Sequence, residues 1–136
     1  EAFGFLSVMV EAVLKMLVRR AALVTAAISS AIMGNIALGE SYIAIILGGQ
    51  LFKGAFDDAD IDSSVLSRSL EEGSTLTTGL IPWTTSGAFY AATLGVPTLD
   101  YIQWSFLNWI NPLIGILFAW LGIALFRKRV ATDQDD

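Results

Sequence analysis

Two long stretches of this 136-residue chain are almost free of charge: between residues 21 and 52 only Glu40 is ionisable as a charged side chain, and between 73 and 126 only Asp100. A helix needs about 20 mostly apolar residues to cross the hydrocarbon layer of a bilayer, and both stretches are longer than that. Helices of soluble proteins normally keep a charged face, which these stretches lack. Composition agrees, with 54% hydrophobic and 15% charged residues against about 25% charged in an ordinary soluble domain. The chain has no Cys and no His. That excludes disulfide frameworks, thiol nucleophiles, His/Cys zinc sites and imidazole triads. A net charge of -5 leaves no basic surface for nucleic acid. The expected class is an all-α membrane protein that is not an enzyme, carries no cofactor and has the lipid bilayer as its first partner.

The remaining charges divide the chain into segments. In residues 1–20, Phe5, Val8, Met9, Ala12, Val13, Met16 and Leu17 recur at helical spacing, and Glu11 and Lys15 are four apart. An amphipathic interfacial helix fits, as does the end of a spanning helix. Residues 21–52 form two apolar arms, AALVTAAISSAIMGNIAL and YIAIILGGQLF, around a polar tip with Gly34, Asn35, Gly39, Glu40 and Ser41. Each arm is short for a full crossing, so a re-entrant hairpin is preferred over two separate short spans, which the charges alone allow equally, with its irregular tip sheltered by protein or facing a wet cavity. Ala22, Ala26, Ser30 and Gly34 lie four apart, beside a row of Ala27, Ala31 and Asn35. Such small faces let helices approach closely in lipid.

Residues 53–72 hold eight charges and are expected to form an acidic loop followed by a short amphipathic helix on the membrane surface, with Ile61, Val65, Leu66 and Leu70 on its apolar side. The run from Asp57 to Asp62 lacks the turn Gly and terminal Glu of an EF-hand, so no resident metal is expected. Residues 73–126 supply a broken helix (74–95) and a final helix (101–126). Gly79, Pro82 and Gly87 bracket Trp83, Thr84, Thr85 and Ser86, and Pro should unwind the helix there. Tyr101, Trp104 and Trp109 suit an interfacial belt. Residues 127–136 form a charged cytoplasmic tail. Lys15, Arg19 and Arg20 at one end and Arg127, Lys128 and Arg129 at the other flank the membrane region. If both clusters are cytoplasmic, an even number of crossings separates them. The sequence opens on Glu1 with no signal-peptide pattern ahead of the apolar stretches, and it is read as a stretch of a longer chain.

Paired interruptions of apolar helices point to a transport site, because unwound carbonyls and half-helix ends can replace water around an ion. An intramembrane carboxylate marks an ion or proton path. Asn35, Glu40, Ser41, Thr84, Thr85 and Ser86 are therefore the candidate ion-binding residues, and Gly34, Gly39, Gly79, Pro82 and Gly87 the candidate helix breaks. The competing reading has Glu40 capping the second arm and the Thr/Ser hydroxyls bonding back onto carbonyls freed by the Pro.

The stretch LSRSLEEGSTLTTGLIPW (66–83) resembles the NhaC family of Na+/H+ antiporters. So do Gly87-Ala88-Phe89, Thr93-Leu94-Gly95-Val96-Pro97, Phe106-Leu107-Asn108, Asn111-Pro112-Leu113 and the tip from Gly34 to Glu40. The resemblance covers about residues 21–115. Family members are much longer, so the chain looks like their C-terminal portion. The resemblance implies a multi-pass exchanger of the bacterial or archaeal cytoplasmic membrane, within the ion-transporter superfamily of inverted repeats and paired hairpins. This chain would be the second repeat, partnered by the missing N-terminal repeat, with a second copy in a homo-oligomer as a further expected partner. It implies Na+ and H+ as transported species. Many members carry Asn-Thr-Cys after Pro-Trp, where Thr84-Thr85-Ser86 stands here, and Pro where Gly79 stands. Two alternatives remain: a cation-coupled exchanger of small carboxylates such as malate and lactate, and a membrane accessory subunit that transports nothing.

Overall fold

A computed structural model describes residues 2–127, apart from the side chains of 2–7 and 9. The expected tail beyond Arg127, with Lys128 and Arg129, lies outside the described residues, as do the Phe5 and Met9 side chains. Seven α-helices follow one another: α1 (Ala2–Leu38), α2 (Ser41–Asp58), α3 (Ser63–Gly73), α4 (Thr75–Thr78), α5 (Thr85–Leu94), α6 (Thr98–Tyr101) and α7 (Phe106–Trp120), with a 3-10 turn over Ile102–Trp104 before α7.

The helix starting in the first segment does not stop at residue 20. It runs on as α1 to Leu38, because nothing between Gly4 and Gly34 breaks it: there is no Pro, and Ala and Leu favour the helix. Gly34 also fails to break it. Its missing side chain instead lets α2 come close, since a Cβ there would stand 3.3 Å from Ala44 Cβ. The turn falls at Gly39, whose φ of 70° is left-handed and whose N–H closes on the Asn35 carbonyl at 3.0 Å. Glu40 is extended and starts α2. The two arms then lie antiparallel.

α2 continues to Asp58, so Lys53, Asp57 and Asp58 belong to a helix and the expected acidic loop shrinks to residues 59–62. Asp62 caps α3 by accepting from Ser64 N at 2.9 Å. α3 packs into the bundle rather than lying apart from it. Its apolar side (Val65, Leu66, Leu70, with Ile61 before it) is buried with Val24, Ala27 and Ile28 of α1 and Phe56 of α2. Leu70 fills the space left by Gly48, and Gly73 abuts the Ile28 carbonyl. α3 therefore rises beside α1 and leads into α4.

α7 runs back down. Asn108 bonds the Leu76 carbonyl, Trp120 Nε1 bonds Thr25 Oγ1, and Gly122 sits on Leu17. α7 is shorter than the expected 101–126. Ser105 bends it 55° from the segment Thr98–Trp104. Beyond Trp120, Gly122 at φ 72° ends it in a Schellman motif, with Gly122 N to Ala119 O at 3.2 Å and Ile123 N to Phe118 O at 2.9 Å. By length and composition, Val10–Leu38 could cross a membrane alone, and the bent pair could do so together. Large apolar residues cover the outside: Leu51, Leu99 and Leu107 are each about 70% exposed. The helices and this apolar exterior fit an all-α membrane protein.

Arg20 and Arg127 meet at one end. Asp60 Oδ2 lies 3.5 Å from Arg20 Nη2 and 3.9 Å from Arg127 Nε, which sets both ends of the intervening chain at one level. Arg20 is only 8% exposed and donates to the carbonyls of Ala59 at 3.1 Å and Asp60 at 3.3 Å, tying α1 to the end of α2. Replacing Arg20 by Met would leave those carbonyls without their donor, at a cost of about 2 kcal/mol. The check is thermal unfolding of the full-length protein in detergent; a Tm equal to wild type would remove Arg20 from the packing account.

Candidate ion-binding site

The two interruptions foreseen in the sequence meet. The α1–α2 tip and the α4–α5 break are joined by three hydrogen bonds. Thr85 N donates to the Gly39 carbonyl at 3.1 Å, Thr85 Oγ1 donates to Glu40 Oε2 at 2.7 Å, and Trp83 Nε1 donates to the Ile36 carbonyl at 2.8 Å. Glu40 stands at the N-terminus of α2, but its side chain caps no α2 amide; it reaches across to Thr85 instead. The acid thus benefits from the positive end of the helix while its carboxylate joins the two interruptions.

Most polar groups around the break hold the break itself. Side-chain donors take carbonyls on the approach to the break: Ser74 O accepts from Asn35 Nδ2 at 3.0 Å besides the Thr77 and Thr78 amides, Leu76 O from Asn108 Nδ2 at 2.8 Å and Gly79 O from the Tyr101 hydroxyl at 2.6 Å. Thr84 is fully buried. Its hydroxyl lies 2.5 Å from Thr78 O and 2.9 Å from Ile81 O, and accepts from Gly87 N at 3.1 Å, capping α5. A cation entering here competes with all of these donors. Pro82 is at the break. Gly79 ends α4 and makes room for Tyr90, while Gly87 lies within the first turn of α5, against the Ile81 carbonyl, and breaks nothing.

A second polar group lies deeper, one turn before the tip. Asn35 is fully buried. Its amide nitrogen also reaches Thr77 Oγ1 at 3.3 Å, and its Oδ1 is buried without a hydrogen-bond partner. Ser41 is buried, and its carbonyl accepts from Ser74 Oγ at 3.0 Å. Ser86 is half-buried at the start of α5. The candidates therefore divide: Glu40 and Thr85 pair at the tip, Asn35 and Ser41 join Ser74 and Thr77 beneath it, and Thr84 staples the break. Sequence reasoning passed over Ser74 and Thr77, although the hydroxyl run STLTT (74–78) inside an apolar stretch was the available signal. It also assigned Tyr101 to an interfacial belt, whereas its hydroxyl caps the Gly79 carbonyl. Among the described residues, no group of three or more acidic side chains could hold a metal ion.

The family model of the Na+/H+ antiporter family matches residues 1–123. The chain is 44% identical to the Na+/H+ antiporter NhaC of Bacillus subtilis over 121 residues, 89% of this chain and 27% of that protein. It is 35% identical to the NhaC of Alkalihalophilus pseudofirmus over 129 residues, 95% of this chain and 28% of that protein. The arginine/ornithine antiporter ArcD of Halobacterium salinarum is 34% identical over 130 residues, 94% of this chain and 26% of that protein. The chain thus spans about a quarter of the length of these relatives. No solved structure matches it. With a match across nearly its whole length, the chain belongs to the Na+/H+ antiporter family.

Proposed function

We propose that the chain is the C-terminal part of an antiporter that exchanges Na+ for H+ across the cytoplasmic membrane of a bacterium or archaeon. Residues 21–58 dip into the bilayer as a re-entrant hairpin, and residues 63–94 cross it as a discontinuous helix. Glu40 and Thr85 sit where tip and break touch. The observation that carries this reading is the Thr85–Glu40 hydrogen bond, which puts one carboxylate between two interrupted segments. Its support is physical: the tip meets the second interrupted segment at the start of α5, where Thr85 N bonds the Gly39 carbonyl.

Glu40 binds either a proton or Na+. One carboxylate serving both makes the two occupancies mutually exclusive, the minimum requirement for exchange. With Na+ bound, Thr85 Oγ1 turns its lone pairs to the ion, and the Asn35 amide oxygen and the Ser41 and Ser86 hydroxyls are further oxygens within the same two segments. The missing N-terminal repeat, an inverted counterpart, closes the open side of the tip. A small carboxylate as cargo fits less well, because Glu40 holds the α2 N-terminus that such an anion would seek, and like charges repel.

Full-length transporter in everted vesicles with a preset pH gradient tests this. Added Na+ is expected to dissipate the gradient, while malate or lactate without Na+ leaves it intact. Carboxylate counterflow without Na+-driven proton movement would overturn the reading.

A further inference from the structure

Glu72 lies in the last turn of α3, seven residues before Gly79, and the antiporter account above makes no use of it. It faces α7, where a Cβ at Gly115 would overlap its Oε2. Gly115 is thus the position whose missing side chain admits a carboxylate into the bundle. The Glu72 side chain is 14% exposed. Its Oε2 is buried without a hydrogen-bond partner, as is Arg68 Nε. The one charge beside it is Arg68, one turn down α3, with Nε 3.5 Å from Glu72 Oε1. Arg68 also reaches toward the aqueous end, with Nη1 3.4 Å from the Ala124 carbonyl. Among the described residues no other charge is shown against it: Glu71, next in sequence, is exposed and accepts from the Thr75 hydroxyl. α7 has none between Phe106 and Trp120, and α1 has none between 21 and 38. Lys53 of α2 lines a groove with Ser63, Leu66, Ser67 and Leu70, the opposite side of α3 at helical spacing.

A buried carboxylate oxygen with no donor is costly as an anion and is relieved by a proton. We propose that Glu72 is a second proton-carrying group of the transporter, with Arg68 as the positioning residue that competes with the proton for it. This rests on the antiporter reading. In the charged state Arg68 pairs with the carboxylate. On uptake, a hydronium at the Arg68 end gives up an O–H bond, one forms at Glu72 Oε2, and Arg68 stays on the Ala124 carbonyl. Release reverses both bonds.

The test uses full-length transporter in proteoliposomes, reading Na+-driven H+ movement across pH and, separately, exchange of radiolabelled Na+ for Na+, which moves no proton. E72Q is expected to keep Na+–Na+ exchange while H+ movement falls about a hundredfold, the lower range for a positioned proton-transfer group. E72D, which keeps a carboxyl, is expected to retain H+ movement with a displaced pH profile. H+ movement and a pH profile overlaying wild type in both variants would overturn the proposal, as would a parallel loss of both exchange modes in both variants. A wild-type protein that moves Na+ but no H+ would instead overturn the antiporter reading itself.

Discussion

Full-length transporter carrying Glu40→Gln is expected to lose Na+-driven proton movement to the background of empty vesicles. Gln keeps the shape of Glu and offers an amide oxygen, so it can still accept from Thr85 Oγ1 and leave the tip seated against the break. What it lacks is a proton that comes and goes and a charge to hold Na+. The loss therefore reports the chemistry of the carboxylate and not the architecture. Thr85→Val separates the two further: the carboxylate remains, but its partner hydroxyl goes. As a Na+ ligand beside the acid, that hydroxyl would contribute about as much as a hydrogen bond to a charged group, roughly 1.5–3 kcal/mol, so the Na+ concentration for half-maximal exchange should rise by about tenfold or more, while the maximal rate changes less. Proton movement at the wild-type rate in Glu40→Gln would remove Glu40 from the mechanism.

That the helices are interrupted at the tip and near Pro82 was legible in the sequence, because each signal was local. Gly39 before Glu40 and Pro82 among hydroxyls interrupt apolar runs, and interruptions need no knowledge of neighbours to be seen. The joining of Glu40 to Thr85 was inferable as chemistry, but its partition was not. Thr84 and Thr85 are adjacent and alike, yet one staples the break and the other faces the acid, a difference set by the backbone turn at 81–85. Charge density misled around residues 53–72. Eight charges suggested a loop and a helix on the membrane surface, but Lys53, Asp57 and Asp58 extend α2, and Glu72 turns inward onto Gly115. Seeing that requires knowing that α7 lies alongside α3 with a glycine at that level, a pairing 43 residues apart in the chain. Gly34 and Gly87 were read as breaks for want of the same information. In a helix, a glycine that unwinds the chain and a glycine that admits a neighbour look identical until the neighbour is known.

Gly73 and Gly54 make that ambiguity measurable, because the same substitution should have opposite signs. Each is helical and each would gain helix propensity as Ala, worth about 0.5–1 kcal/mol. At Gly54 in α2 a Cβ meets nothing within 4 Å, so Gly54→Ala should raise the Tm of the full-length protein in detergent. At Gly73 the same Cβ would overlap the Ile28 carbonyl and stand 2.8 Å from Ala31 Cβ. The first obstacle is backbone, which no rotamer change can clear, so α3 must move off α1. Overpacking of this kind costs about 1–3 kcal/mol, occasionally more. It would also draw Ser74 away from Asn35, whose 3.0 Å bond to the Ser74 carbonyl lies one residue on, leaving the buried amide nitrogen only its longer 3.3 Å contact with Thr77 Oγ1. The clash and the lost bond together outweigh the propensity gain, so Gly73→Ala should lower Tm and impair exchange together, whereas Gly54→Ala should leave exchange unchanged. Equal stabilisation by both substitutions would mean that α3 does not close on α1 at Gly73, and that it lies apart from the hairpin as its charges first suggested.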